Sequence, residues 1–301
     1  MNLFPPSPTR HYLNGAGLIL IAALCFSLQP IFARAVYADG ANTLGLVWLR
    51  FLVPSLLLLL CIPRVRKPLK GAGTLGVING LASLCYFAAL SQVSVSLTVM
   101  LFSLFPLMVF FLGFMQRQES FSTSKILALM GALLGIYFTL DADFSRTAIS
   151  WAGILFGLGS ALFYSGYIIG AQRWMPHNDA LAGASWTLIG AALIFSLPVL
   201  AGQAELPASR YGWSMVLALG IISTFIPFLL LIKGIGLLQR QFDVAIFSTT
   251  EPIASIFWAW LLLQETLTQR SLFGVVLVIS AALLMVWSQS RQPPSTNMTG
   301  A

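Results

Sequence analysis

Apolar stretches, each about as long as a membrane-spanning helix, follow one another along almost the whole chain. Of the 301 residues 58% are apolar and only 8% are charged, with a mean hydropathy of +0.88. Soluble domains carry about 25% charged residues, so this chain cannot cover a globule of its size in water. The bilayer is the expected solvent. Because a span takes about 20 residues and a span with its loop about 30, the length predicts an all-α membrane protein of about ten transmembrane helices.

Hydropathy and the short charged or proline-containing separators place these helices. Strands are a poor alternative, because transmembrane strands alternate apolar and polar residues whereas these stretches are apolar on every side. The predicted spans are 13–36, 44–62, 71–91, 94–115, 124–140, 150–172, 180–200, 212–236, 242–263 and 270–288.

The basic residues predict the orientation. With ten spans and a cytoplasmic N-terminus, ten Lys and Arg residues fall on the inside, and four fall in outer loops: Arg34, Arg146, Arg210 and Arg270. This positive-inside bias favours a bacterial inner (plasma) membrane protein with both termini in the cytoplasm. It also explains the net charge of +7 without a nucleic-acid partner. Residues 1–12 then form a cytoplasmic N-terminal segment, and residues 290–301 a disordered cytoplasmic tail.

The two halves of the chain contain similar sequence patterns in the same order. In each half a proline enters an apolar helix that ends at a glutamate 13 residues later, as in Pro106 with Glu119 and Pro252 with Glu265. This proline–glutamate segment recurs 146 residues later, whereas a segment nearer the start of the first half recurs 138 residues later. The second half therefore carries about eight extra residues between the two segments, placed near 203–210. Five spans in each half predict two inverted five-helix repeats, 13–145 and 146–289.

The repeated segments resemble a known family. They read Leu104-Phe105-Pro106 … Gln118-Glu119 and Thr250-Glu251-Pro252 … Leu263-Gln264-Glu265-Thr266-Leu267, and Arg50 stands early in the second span. Over roughly 13–288 this resembles the EamA type of the drug/metabolite transporter superfamily, which includes amino-acid exporters. The resemblance implies an inverted repeat, a central cavity and alternating access, but no particular substrate. The first copy departs from the pattern, with Phe105 where the second has Glu251.

Three charged residues inside the predicted spans are candidates for coupling or for an ion pair: Arg50, Lys233 and Glu251. A charge at mid-membrane costs roughly 2.5–3.5 kcal/mol on insertion scales, so each one requires an explanation. Glu251 could bind a substrate amine or an exchanging proton, or it could form a structural ion pair with Lys233. Lys233 could instead reach the cytoplasmic interface. Arg50 could cap carbonyl groups, join two helices or contact substrate.

Polar and aromatic residues within the spans are candidates for lining a cavity, although membrane anchoring and core packing compete with that role. Gln29 precedes Pro30 and predicts a break in the first span. Glu119 and Glu265 end their helices and are interpreted as structural residues that close the turn into the next span. The candidate substrate-binding residues are Gln29, Trp48, Tyr86, Ser103, Tyr164 and Glu251, with Tyr167, Ser248 and Thr249 as further lining residues.

These features predict a secondary transporter of a small metabolite. An amino acid or related compound is the expected substrate and export the expected direction, with efflux of drugs or other lipophilic compounds as the alternative. A channel is a further alternative. An intramembrane enzyme is not supported, because the sequence contains no H-E-x-x-H, no G-x-S-x-G and no phosphate-binding glycine loop. We therefore expect no enzymatic activity, no catalytic or metal site and no cofactor. The expected partners are a small-molecule substrate and the lipid bilayer. A homodimer is an alternative to a monomer.

Overall fold

The computed structural model describes residues 8–61, 71–115, 123–144, 150–174, 180–237, 247 and 250–290. Regular structure in these residues is entirely helical, as expected for a chain in lipid, where every backbone polar group needs an internal partner. The helices are α1 (Pro8–Ser27), α2 (Gln29–Ala38), α3 (Thr43–Cys61), α4 (Ala72–Leu90), α5 (Val95–Phe102), α6 (Phe105–Met115), α7 (Thr123–Phe144), α8 (Trp151–Trp174), α9 (Ala180–Leu200), α10 (Arg210–Gly220), a π-helical turn (Ile221–Phe225), α11 (Ile226–Leu237), α12 (Thr250–Leu263) and α13 (Gln269–Ser290).

Six stretches of these helices are long and apolar enough to cross a membrane, and shorter apolar helices accompany them. The six are Leu13–Ala38, Thr43–Leu60, Gly73–Leu90, Trp151–Ala171, Leu181–Leu200 and Arg210–Gly234. Most helices follow the predicted spans to within a few residues, but α1 begins five residues before residue 13. Of the predicted span 242–263 the structure describes residue 247 and α12 from Thr250, and the remaining residues of 242–249 lie outside the described residues. Residues 1–7 and the tail from 291 lie outside the described residues. The fold is that of a multi-pass membrane protein.

Two of the predicted spans are interrupted close to a proline. α1 stops at Ser27 and α2 starts at Gln29, with Pro30 in its first turn, so the predicted break is confirmed. The predicted span 94–115 is also interrupted, between Phe102 and Phe105, which the sequence analysis did not anticipate. In both cases the proline follows the break and cannot donate a backbone hydrogen bond to the preceding turn.

Small residues allow the helices around α4 to pack closely. α4 lies against α8 and α9. A Cβ added to Gly76 would lie 2.8 Å from the backbone nitrogen of Ala191 and 2.8 Å from the carbonyl oxygen of Thr187, so only glycine permits this contact with α9. The α3 and α9 surfaces meet through the stacked rings of Phe51 and Phe195, with centroids 6.4 Å apart.

Hydrogen bonds join the turns at one end of the bundle to neighbouring turns or helices, and we call this the tied end: residues 39–42, 91–94, 201–209 and 264–268. Asn42 donates from Nδ2 to the carbonyl of Gln203 (2.9 Å), and Asp39 Oδ2 accepts from the backbone N–H of Ser209 (2.8 Å). Bonds from the side chain and then the backbone of Ser209 lower the pKa of Asp39 below its ordinary value of 3.8. The segment predicted to hold the second half's extra residues thus binds a turn of the first half.

Candidate functional site

Arg50 lies in α3 and is held within the bundle by α4. Its Nη1 donates to Ser83 Oγ at 3.2 Å, and its guanidinium carbon lies 5.0 Å from the ring centroid of Phe87 and 5.5 Å from that of Phe51. Two cation–π contacts partly compensate a cation for lost hydration. The Nε–H is nevertheless buried without a hydrogen-bond partner among the described residues. Arg50 therefore keeps one strong donor free for an acceptor.

Glu251 is the second residue of α12 and is half-buried. Its charge interacts with the charge of Arg50, and both charges act on the hydroxyl groups of Tyr86 and Tyr164. Among the described residues, no hydrogen-bonded ion pair joins the carboxylate to the guanidinium. A cation and an anion thus interact with the same two tyrosines without a hydrogen bond between them, an arrangement that can receive a ligand carrying charges of both signs.

An aromatic cluster adjoins these charges and consists of Tyr86, Phe102, Phe105, Tyr164 and Tyr167. Ring centroids are 5.4 Å apart for Tyr86 and Phe102, 5.1 Å for Phe102 and Tyr164, and 5.1 Å for Phe105 and Tyr164. Tyr167 extends the cluster from Tyr164 at 5.8 Å and hydrogen-bonds Thr187 of α9. The cluster brings together α4, α5, α6 and α8, and its members are all half-buried.

Gln29 joins two interruptions in the helices. Its Nε2 donates to the carbonyl oxygen of Ser223 at 2.9 Å, inside the π-helical turn. In a regular helix this carbonyl would accept from residue 227, but Pro227 has no N–H. The amide of Gln29 therefore replaces a missing backbone bond, and Gln29 itself is buried (7% exposed). Such π-helical turns are frequent at functional sites, and this one links the break between α1 and α2 to the break before α11.

Two other predicted residues form hydrogen bonds with groups outside the Arg50–Glu251 site. The Trp48 indole N–H donates to Ser196 Oγ at 2.9 Å and joins α3 to α9. The Ser103 hydroxyl donates to the carbonyl of Val99 at 2.8 Å and lies in the break between α5 and α6. Neither donor is free for a ligand in this arrangement. Of the predicted lining residues, Tyr86 and Tyr164 are the ones that share the Arg50–Glu251 site.

Lys233 is exposed on α11, and the described charge that acts on Glu251 is Arg50. Glu119, Ser248 and Thr249 lie outside the described residues. No group of three or more potential metal-ligating side chains occurs in the described part of the chain.

Sequence reasoning missed Phe102 and Phe105 as site residues. A signal was present for Phe105, which stands where the second repeat has Glu251, but that difference was interpreted only as a departure from the pattern. Arg34 was also misplaced: it lies inside α2 rather than in an outer loop, and its guanidinium donates to the carbonyl of Val93 at the tied end.

Glu265 is a structural residue, as expected, but its partner differs from the expectation. Its Oε1 accepts from the backbone N–H of Val95 (2.6 Å), and its Oε2 accepts from the N–H (3.2 Å) and hydroxyl (3.0 Å) of Ser96. These groups begin α5, where free N–H groups and the helix dipole favour an anion. Glu265 caps a helix of the other half rather than closing the turn into the next span.

Comparisons with known proteins agree with this architecture. Two segments, 13–141 and 151–287, each match the EamA-like transporter family. The uncharacterized transporter YcbK of Bacillus subtilis is 28% identical, with 89% of this chain and 91% of YcbK covered. The pseudopaline exporter CntI of Pseudomonas aeruginosa is 23% identical, with 90% and 95% covered.

Two further similarities are weaker or shorter. The threonine/homoserine exporter RhtA of Escherichia coli is 30% identical over 156 residues, which cover 50% of this chain and 51% of RhtA. A crystal structure aligns with a TM-score of 0.62 at 19% identity and covers 90% of this chain and 95% of its own, which shows a shared fold. Because the family match occurs twice and extends over most of the sequence, this chain belongs to the EamA-like transporter family.

Proposed function

We propose that this chain is a secondary transporter that exports an amino acid or a closely related small metabolite across the bacterial inner membrane by alternating access. One observation carries this proposal: Arg50 and Glu251 face Tyr86 and Tyr164 without forming a hydrogen-bonded ion pair among the described residues. An amino acid carries a carboxylate and an ammonium group, which complement these two charges. The exporters among the relatives support the direction of transport.

In the proposed site, Arg50 binds the substrate carboxylate and Glu251 binds the substrate ammonium group. The guanidinium has its free Nε–H for the carboxylate, while Ser83 and the rings of Phe51 and Phe87 hold the rest of the group in place. The tyrosine hydroxyls supply further hydrogen bonds. Because a zwitterion has no net charge, its entry leaves the total charge of the site unchanged, and the cost of charge in the membrane does not increase.

The proposed architecture has ten spans arranged as two inverted five-helix repeats, 13–145 and 146–289, with both termini in the cytoplasm. The tied end then faces outward. The breaks at Leu28, at Ser103–Leu104 and at the π-helical turn lie inside apolar helices, where interruptions typically accompany the binding sites of transporters. We assign Gln29 and Ser103 to these breaks, where they adjust the helices around the bound substrate, and Trp48 to the contact between α3 and α9.

The test compares export by the unmodified chain, its Glu251→Gln variant and a bacterial host without either protein. Untargeted mass spectrometry of the medium would identify compounds that leave the cells. We expect an amino acid or related zwitterion to accumulate outside only with the unmodified chain. Accumulation of lipophilic compounds instead would support drug efflux, and equal accumulation with both proteins would contradict the role of Glu251. Saturation of the rate with substrate separates a transporter from a channel.

A further inference from the structure

Phe105 and Glu251 occupy corresponding positions in the two repeated segments, each directly before a proline and 146 residues apart. Phe105 begins α6, and Glu251 lies in the first turn of α12. One copy therefore presents a ring where the other presents a carboxylate. If the two copies surround one substrate, the substrate meets an apolar group on one side and an anion on the other.

The rings around Phe105 are arranged at angles to one another rather than in a closed stack. Phe102 and Phe105 are tilted by 40° with centroids 5.6 Å apart, and Phe105 and Tyr164 are perpendicular. Phe102 and Tyr164 are tilted by 50°. Tilted and edge-to-face rings leave parts of their faces uncovered, and edge-to-face contact is also a favourable way to receive one more ring.

Tyr86 and Tyr164 connect this apolar group to the charges. Their rings contact Phe102, while their hydroxyl groups interact with Arg50 and Glu251. The charged and apolar parts are therefore contiguous and form one site with two poles. A ligand that lies against Tyr164 is therefore next to both parts.

On the basis of the proposed function, we infer that the transported amino acid carries an apolar, preferably aromatic, side chain that binds against Phe102, Phe105 and Tyr164, and that Phe105 determines this specificity. A polar side chain would lose its water among these rings without gaining hydrogen bonds. An organic cation would find the rings and Glu251 favourable, but it would also approach the Arg50 guanidinium. The zwitterion with an aromatic side chain satisfies both poles.

The experiment measures uptake of radiolabelled L-phenylalanine and L-serine into proteoliposomes that contain the purified chain. A single methylene in an apolar pocket changes selectivity by about 10–200-fold, so a whole ring contact is expected to exceed ten-fold. We therefore expect the unmodified protein to prefer L-phenylalanine by at least about ten-fold in kcat/KM, and Phe105→Ala to lower that ratio about ten-fold through L-phenylalanine alone. Phe105→Leu, which keeps most of the volume, should give an intermediate ratio.

The matched control is Phe111→Ala on the same helix, because Phe111 is 58% exposed and lies outside the cluster. We expect it to leave the ratio unchanged. A ratio that is equally unchanged in Phe105→Ala and Phe105→Leu, or a preference for L-serine in the unmodified protein, would overturn the inferred side-chain class while leaving amino-acid transport intact. Transport of tetraphenylphosphonium with neither amino acid transported would overturn the zwitterion itself and, with it, the proposed function.

Discussion

Two glutamates lie near the two ends of α12, and they differ in the hydrogen bonds that they accept. Glu265, after the helix end, accepts three hydrogen bonds from the first residues of α5. Glu251, in the first helical turn, interacts with the charge of Arg50 and has no hydrogen-bond donor among the described residues. A carboxylate whose bonding capacity is met inside the protein stabilises the fold, whereas one that faces a separated cation can exchange its partner for a ligand.

The two arginines in the first spans differ in their partners, although the Nε–H of each is buried without a hydrogen-bond partner among the described residues. Arg34 donates to the Val93 carbonyl at the tied end, in the turn that also precedes the groups capped by Glu265. Arg50 has one neutral hydrogen-bond partner, Ser83, and two aromatic rings. Hydrogen bonds at the tied end join turns to other turns or to helices, while the charges of the Arg50–Glu251 site interact with tyrosine side chains. Variants that remove one charge or one hydrogen bond at each place can test this difference.

Removing one of the two central charges should have the largest effect. In Arg50→Gln the Glu251 carboxylate loses its compensating charge, and breaking a buried charge pair from one side typically costs about 3–5 kcal/mol. We expect a large fall in thermal stability in detergent and loss of export. The double variant Arg50→Gln/Glu251→Gln should recover stability but not export. Export by the double variant would show that the two charges serve the fold alone.

Removing the capping charge should affect stability and spare transport. In Glu265→Gln the first turn of α5 loses an anionic acceptor, and loss of a helix cap costs about 0.5–2 kcal/mol. We expect lower thermal stability and a turnover per folded molecule within about two-fold of the unmodified protein. Thermal unfolding and initial transport rates, both normalised to folded protein, measure the two quantities. A transport loss at unchanged stability would assign Glu265 to the transport cycle instead.

Two serine substitutions compare the Arg50–Glu251 site with the tied end by removing one hydrogen bond at each. Ser83→Ala removes the Arg50 partner, and a hydrogen bond to a charged group contributes about 1.5–3 kcal/mol. We expect KM to rise several-fold, because Arg50 is less well oriented toward the substrate. Ser96→Ala removes one of three donors to Glu265 and should change KM by less than two-fold. Substrate-saturation curves for the two variants measure the KM values. Equal KM values would contradict the different roles of the two serines.

The smallest effect concerns Asp39, whose pKa is lowered by hydrogen bonds from the Ser209 side chain and backbone. A carboxyl group with a lowered pKa stabilises the folded state above its ordinary value of 3.8, and this contribution is lost as pH falls through the lower folded-state pKa. Asp39→Asn should therefore flatten the acid side of the stability profile below about pH 4 and leave transport at pH 7 unchanged. Thermal melting between pH 3 and 7 measures this, and parallel profiles for both proteins would contradict it.

Much of the fold could be predicted from local sequence, because hydropathy and proline act over one helix at a time. The break before Gln29 follows from Pro30 alone, and the helix bounds follow the apolar stretches. The break after Phe102 was missed even though Pro106 stands nearby, since proline is also tolerated early in an uninterrupted helix. The pairing of Gln29 with the Ser223 carbonyl was not predictable, because the two residues are 194 positions apart.

For the candidate site, the sequence singled out Arg50, Glu251, Tyr86 and Tyr164 as candidates, and it considered Lys233 as one alternative partner of Glu251. Lys233 is nearer along the chain, yet Arg50 on α3 is the described charge that acts on Glu251. Proximity in sequence does not determine which helices become neighbours in a bundle. Charges that are too costly to leave alone in lipid can be recognised from the sequence, whereas their partners depend on helix packing.

The sequence by itself determined that this chain is a helical membrane protein with a repeated segment, because scarce charge and long apolar stretches leave a water-exposed fold no stable surface. It also singled out the few charges that need compensation. Only the tertiary structure decided which glutamate is capped and which interacts with an arginine. It also decided that Phe105 packs against Tyr164, whose hydroxyl group interacts with both charges. The physical reason is that hydrogen bonds and ring contacts act over a few ångströms, whereas the residues they join can be far apart in the chain, by 170 residues in the case of the Glu265 cap.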